Sequence, residues 1–138
     1  MKPEVERALS ELRDDLPGHE LTVREDSDGG AFAMVSGIDI GEAFQPSVSW
    51  VGFHITWLYP DADVYPHFID PAVRYVGSGE APNKYPDGDL PTSVSRGATM
   101  PGFDRPAIQI SRQSRRRDPA TDSALQKLLR VVAFLRSR

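Results

Sequence analysis

Three consecutive arginines, Arg115, Arg116 and Arg117, three scattered histidines and a set of loop serines are the residues of this 138-residue chain best suited to chemistry, and the chain has no cysteine. Without a thiolate there is no thioester, disulfide, iron–sulfur cluster or thiolate zinc site. A serine hydroxyl would have to serve as nucleophile, and it needs an adjacent base or another strong polarising group. His19, His54 and His67 show no short-range ligand pair such as H-x-x-x-H, which argues against a metal site. His54 alternates with Phe53 and Ile55 and is expected on one face of a strand with a hydrogen-bond partner. His67 reads as a loop histidine open to a partner contact. Trp50 and Trp57 read as packing residues rather than a ligand cage. Asp61, Asp63 and Asp70 do not follow a calcium-loop pattern and the glycine pairs do not follow a phosphate-loop pattern, so no cofactor is expected.

The arginine triplet precedes Asp118-Pro119, a pair that can open a helix. Positive charge at a helix start opposes the helix dipole, which makes the placement unfavourable for stability. Two readings stand side by side: a docking patch for an acidic surface or a phosphate, and a solvated turn. The charge balance bears on both. Residues 1–93 carry 6 Lys/Arg against 17 Asp/Glu and residues 94–138 carry 10 against 3, so an overall charge of −4 divides into −11 and +7. Such a division steers acidic partners to the basic side or lets copies associate. A nucleic-acid binder would be basic overall, so none is expected.

Length and composition fit one domain over residues 1–138. The hydrophobic fraction of 39% and the charged fraction of 26% are those of a folding globular chain. No stretch is long and apolar enough for a membrane span, and the start of the chain lacks the basic opening and unbroken apolar run of a secretory signal. A cytoplasmic location is expected.

The elements that must position these residues follow from periodicity. Val5, Ala8, Leu9, Leu12 and Leu16 follow Pro3 at helical spacing and predict a helix over 3–16. Alternation at Leu21 and Val23, turn chemistry at Asp28-Gly29-Gly30 and the apolar run 31–38 predict a hairpin. Residues 47–58 predict a long central strand and 71–76 a short fourth one. Residues 77–105 are rich in Gly, Pro, Asp and Ser and predict a long irregular connection, of the kind that covers a site. Ala107, Ile108 and Ile110 predict a short strand. Leu125, Leu128, Leu129, Val132 and Leu135 predict a final helix over 119–136, with Lys127 and Arg130 among the cations that complement its C-terminal dipole.

This order is helix, four-stranded meander, Tyr65-Pro66 with a second proline at Pro71, long irregular segment, short strand and proline-started helix. It resembles the ubiquitin-conjugating (UBC) fold and the related RWD domains, an α+β architecture. The segment from Ala107-Ile108-Gln109-Ile110 through Asp118-Pro119-Ala120 to Leu128-Leu129 lies without gaps on the family's active-site strand and helix start, which puts Gln109 where the catalytic cysteine stands. The family's His-Pro-Asn would fall near Met100-Pro101-Gly102, where both polar members are missing. The family's two further helices have no counterpart in this sequence.

The resemblance implies a UBC-like component of a bacterial ubiquitin-like modification pathway, with the modifier and its activating enzyme as partners. Gln109, Arg112, Arg115, Arg116 and Arg117 would form the partner-binding face, and no thioester chemistry would occur. One alternative is a conjugating enzyme that carries the modifier as a serine oxyester. Ser111, two residues after Gln109 and so on the same face of an extended segment, would be its catalytic residue, with Ser93 and Ser95 the weaker choices. A second alternative is a structural subunit that oligomerises through its sheet and C-terminal helix.

Overall fold

A computed structural model describes residues 1–77 and 90–138. Helix α1 (Pro3–Asp15) opens on Pro3, whose fixed φ suits a first turn, and buries Val5, Ala8, Leu9 and Leu12 on the stripe that their spacing predicts. Strands β1 (Leu21–Glu25) and β2 (Ala31–Asp39) form the expected hairpin, in register from Leu21 opposite Val35 to Glu25 opposite Ala31. The Asp26 carboxylate holds their turn by accepting from the backbone N–H groups of Asp28 and Gly30, each at 2.8 Å. Gly30 is required there, because a Cβ would lie 2.4 Å from the Ile55 carbonyl oxygen.

Strand β3 (Phe44–Gln45) leaves the main sheet and pairs with β6 (Arg74–Tyr75). Strands β4 (Val48–Ile55), β5 (His67–Ile69), β7 (Val94–Met100) and β8 (Arg105–Ile110) complete a six-stranded sheet of order β1-β2-β4-β5-β8-β7. Every neighbouring pair in it is antiparallel. The chain is thus α+β, with an N-terminal helix, a six-stranded antiparallel sheet and a C-terminal helix α2 (Ala124–Arg136).

Alternation along the strands gives the sheet two different faces. Ala33, Val51, Phe53, Ile69, Ile108 and Ile110 are buried in one cluster with the apolar stripes of α1 and α2. Full burial of each large aliphatic or aromatic side chain in this layer stabilises the fold by about 1.5–3 kcal/mol. Phe68, Met100 and Ala107 point to the other face, where Phe32, Trp50 and Phe103 pack on them. The tip of the β7–β8 hairpin curls over that face: Arg24 donates to the Gly102 carbonyl at 2.9 Å and lies over the Phe103 ring. Gly102 sits against the Phe32 ring so closely that a Cβ would be 2.3 Å from it.

Several expectations need correction. The sheet has six strands rather than four, because residues 94–100, expected to be irregular, form β7; its burial pattern is polar and exposed along the middle, as suits an edge strand. The expected irregular stretch also covers residues 78–89, which lie outside the described residues. The strand expected at 71–76 is displaced: the sheet strand is β5, and Asp70 turns the chain away by accepting from the Ala72 N–H at 2.8 Å, leaving Arg74–Tyr75 to pair with β3. The last helix starts at Ala124 rather than Pro119. Asp118 instead caps a separate turn, accepting from Ala120 N at 3.0 Å, and Ser123 is the helix cap, accepting from Gln126 N at 3.1 Å. Arg115 to Arg117 therefore do not immediately precede the helix in sequence, although the Arg117 guanidinium still reaches its start, donating to the Asp122 carbonyl at 3.2 Å beside the Ser123 cap. Lastly, Trp57 is not a packing residue: it lies beyond the end of β4 and is 54% exposed.

Candidate functional site

Strand β8 ends at Ile110, and the chain that follows it crosses to α2 through residues 111–123. The backbone N–H of Ser111 donates to the Ser93 carbonyl at 2.7 Å, which ties the start of this connection to the chain entering β7. Further along, the connection is held by one carboxylate. Asp63, from the β4–β5 loop, accepts from the Ser114 N–H at 2.7 Å and from Lys127 Nζ at 2.7 Å, with the Ser114 hydroxyl at 3.3 Å and Arg117 Nε at 3.6 Å. Lys127 also donates to Ser114 Oγ at 2.7 Å. Burial pushes the Asp63 carboxyl upward, but the hydrogen bonds from Lys127 and Ser114 outweigh it and hold the group below its ordinary value of 3.8.

Between this anchored connection, the start of β7 and the flank of α2 lies a cleft of about 820 Å³, walled by Ser93, Ser111, Ser114, Arg112, Arg115 and Arg116 on the loop side. Lys127, Arg130 and Val131 of α2 and the Asp122 carboxylate complete it. Two of the cations are spent inside the protein, Lys127 on Asp63 and Arg130 on Asp122 at 2.6 Å. Arg112, Arg115 and Arg116 have no carboxylate partner among the described residues. The Arg112 guanidinium lies 4.3 Å from the Phe134 ring centroid, and Arg138 lies 4.6 Å from the same ring. Two non-glycine residues of the cleft wall, Ser93 (φ 73°) and Arg116 (φ 52°), are held in left-handed backbone conformations, which cost about 1–3 kcal/mol each and gather at functional sites.

The candidate residues fall into three groups. Ser111, Arg112, Arg115 and Arg116 share the cleft. Gln109 lies beside it on β8, and its Nε2 donates to Ser111 Oγ at 3.0 Å, so the two side chains do occupy one face. Arg117 is directed elsewhere: it is 11% exposed and donates to the backbone carbonyls of Asp61 at 2.9 Å and Asp122 at 3.2 Å, and so stitches the loop to the fold. Ser111 has a hydroxyl in the cleft but its recorded side-chain partner is an amide donor; no base lies in hydrogen-bond reach of it among the described residues. Ser95 lies on β7 opposite Gln109.

The histidines separate sharply. His54 is on the sheet face with its expected partner, Asp26 at 2.6 Å, and stacks on Phe32. His67, expected in a loop, is instead the first residue of β5 and is wholly buried, paired across strands with Phe53 and Ile110. Neither of its ring nitrogens has a hydrogen-bond partner. Burial drives its pKa down to about 3, with the charge of Lys127 adding to the shift and that of Asp63 opposing it. His67 is therefore neutral at pH 7. No group of three or more potential metal-ligating side chains lies together among the described residues.

Sequence reasoning missed Lys127, Asp63 and Arg130. The signal for Lys127 was present: Ala124, Lys127, Leu128, Val131 and Leu135 fall on one helical stripe, and a lysine on a buried stripe requires a buried partner. It was assigned to the helix C-terminus instead, yet it is 5% exposed and works at the cleft floor. Comparisons with known protein families, with curated proteins and with solved structures give no match. No helix among the described residues is long and apolar enough to cross a membrane.

Proposed function

We propose that this chain is a UBC-like binding module of a bacterial ubiquitin-like modification pathway, which docks the modifier or its activating enzyme at the cleft after β8 and performs no thioester chemistry. One observation carries the reading: Arg112, Arg115 and Arg116 line a concave surface and have no carboxylate partner among the described residues, beside Gln109, which the family resemblance places at the transfer position, and its hydrogen-bonded neighbour Ser111. Unpaired positive charge in a cleft raises the local concentration of an acidic partner and speeds its encounter. The part-buried Asp63–Lys127 pair supports this use, because it fixes the loop that presents Arg112, Arg115 and Arg116 without drawing on them.

Ser111 supports the alternative in which the modifier is carried as an oxyester, since its hydroxyl opens on the same cleft. A serine nucleophile needs a base, and its neighbour Gln109 is not one. The binding role is therefore preferred. Titration of the modifier and the activating enzyme against the wild type and the Arg112→Ser/Arg115→Ser/Arg116→Ser variant tests the reading. Affinity that falls in the variant together with its salt dependence supports it, and equal affinity at every salt concentration removes the cleft from the account.

A further inference from the structure

The cleft carries five cations, Arg112, Arg115, Arg116, Lys127 and Arg130, against one carboxylate in its wall, and Val131 is its apolar contributor. An apolar ligand has little to bury there. With Lys127 spent on Asp63 and Arg130 on Asp122, three guanidinium groups remain for an occupant. Guanidinium groups match phosphate oxygens in bidentate geometry, and such charge-assisted bonds are the strong ones. The hydroxyls add donors. Ser111 Oγ already accepts from Gln109 Nε2, which leaves its own proton to be donated into the cleft. The size is also telling, because about 820 Å³ falls in the range of roughly 300–1,000 Å³ typical of small-molecule sites. Finally, the left-handed backbone at Ser93 and Arg116 is strain at two positions that line this one cleft.

We propose that the cleft binds a small molecule bearing a diphosphate group, with Arg115 and Arg116 as its principal ligands and Arg112 and the hydroxyls of Ser93 and Ser111 completing the shell. Three guanidinium groups without a carboxylate partner among the described residues match the charge of a diphosphate better than that of a single carboxylate. The binding itself does not depend on the docking of a modifier. Its regulatory consequence rests on that reading: the ligand and an acidic partner would compete for the same arginines, so the ligand would set how much of the protein is free to dock.

The test uses inorganic pyrophosphate as the probe, titrated calorimetrically into the whole chain at about 0.15 M salt, where long-range attraction between exposed charges is screened. Three proteins are compared: the wild type, Arg115→Ser/Arg116→Ser, and the charge-matched control Arg7→Ser/Arg13→Ser, whose substitutions fall on exposed positions of α1. Far-UV circular dichroism confirms that each is folded. Saturable one-site binding to the wild type and the control, weakened roughly ten-fold or more for each cleft arginine removed, is the expected result. Absence of saturable binding, equal weakening in both variants, or equal affinity for sulfate and for an acidic peptide would each overturn the proposal. Modifier binding that depends on Arg115 and Arg116 in a protein that ignores pyrophosphate would leave the docking role standing and this inference refuted; the reverse pattern would do the opposite.

Discussion

Replacing His67 with phenylalanine should remove a pH dependence that the buried imidazole imposes on the whole fold. The ring is wholly buried, has no hydrogen-bond partner on either nitrogen and packs against Phe53 at a centroid distance of 5.2 Å, so a phenyl ring occupies similar space without a titrating group. Its pKa falls from 6.5 in the unfolded chain to about 3 in the fold. For a group depressed in this way, the unfolded state binds the proton first as pH falls, so stability is complete above pH 6.5 and declines toward pH 3. At about pH 5 the gap amounts to some one and a half pKa units, or about 2 kcal/mol relative to pH 7.5. Asp26 and Asp63 lie below their ordinary value of 3.8, so their contributions are lost only at lower pH. Urea unfolding at pH 7.5 and pH 5 measures the effect, and subtracting the His67→Phe difference from the wild-type difference isolates this residue. A residual near 2 kcal/mol is expected. Parallel curves for the two proteins would show that His67 is not held neutral by burial, and the placement of β5 in the core would fail with it.

Further outcomes follow from the same geometry. Leu128→Ala, at a side chain only 1% exposed, should destabilise the fold by roughly 2–5 kcal/mol in denaturant unfolding, and an unchanged midpoint would show that α2 presents another face. Lys127→Ala leaves the part-buried Asp63 carboxylate without its closest cation, with Ser114 and Arg117 still beside it, and should cost about 1–3 kcal/mol, whereas Lys127→Met combined with Asp63→Asn should recover part of that loss. Ser123→Ala should cost about 1 kcal/mol, while Asp118→Ala should leave the helicity of α2 unchanged by circular dichroism. Under the oxyester alternative, an adduct with the modifier should survive thiol reductant, be cleaved by hydroxide and vanish in Ser111→Ala; loss only with Ser93→Ala or Ser95→Ala would move the nucleophile to the chain at the start of β7.

Much of the fold was legible because its elements have strong periods. The stripe of α1, the β1–β2 hairpin with its Asp-Gly-Gly turn and the central β4 all repeat the apolar spacing that the sequence displays. Strand β7 was hidden for a physical reason. Val94-Ser95-Arg96-Gly97-Ala98-Thr99-Met100 is an edge strand with only its ends buried, so it shows no alternation. The boundary of α2 was misread because Asp118-Pro119 is good helix-opening chemistry that here serves a turn, and Ser123 five residues later is equally good. The arginines of the cleft were legible as a cluster, but their division was not. Whether an arginine is spent or free depends on Asp61, Asp63 and Asp122, and two of those come from a loop more than fifty positions away.

The most direct test of a binding module without thioester chemistry is to combine the whole chain with the modifier, its activating enzyme and ATP, and to follow complex formation and adduct formation in the same mixture. A reversible complex that weakens with salt, depends on Arg112, Arg115 and Arg116 and leaves no covalent adduct after denaturation is the predicted result. Failure of both modifier and activating enzyme to bind the wild type, or binding that is indifferent to the three arginines, would contradict the proposed role of the cleft.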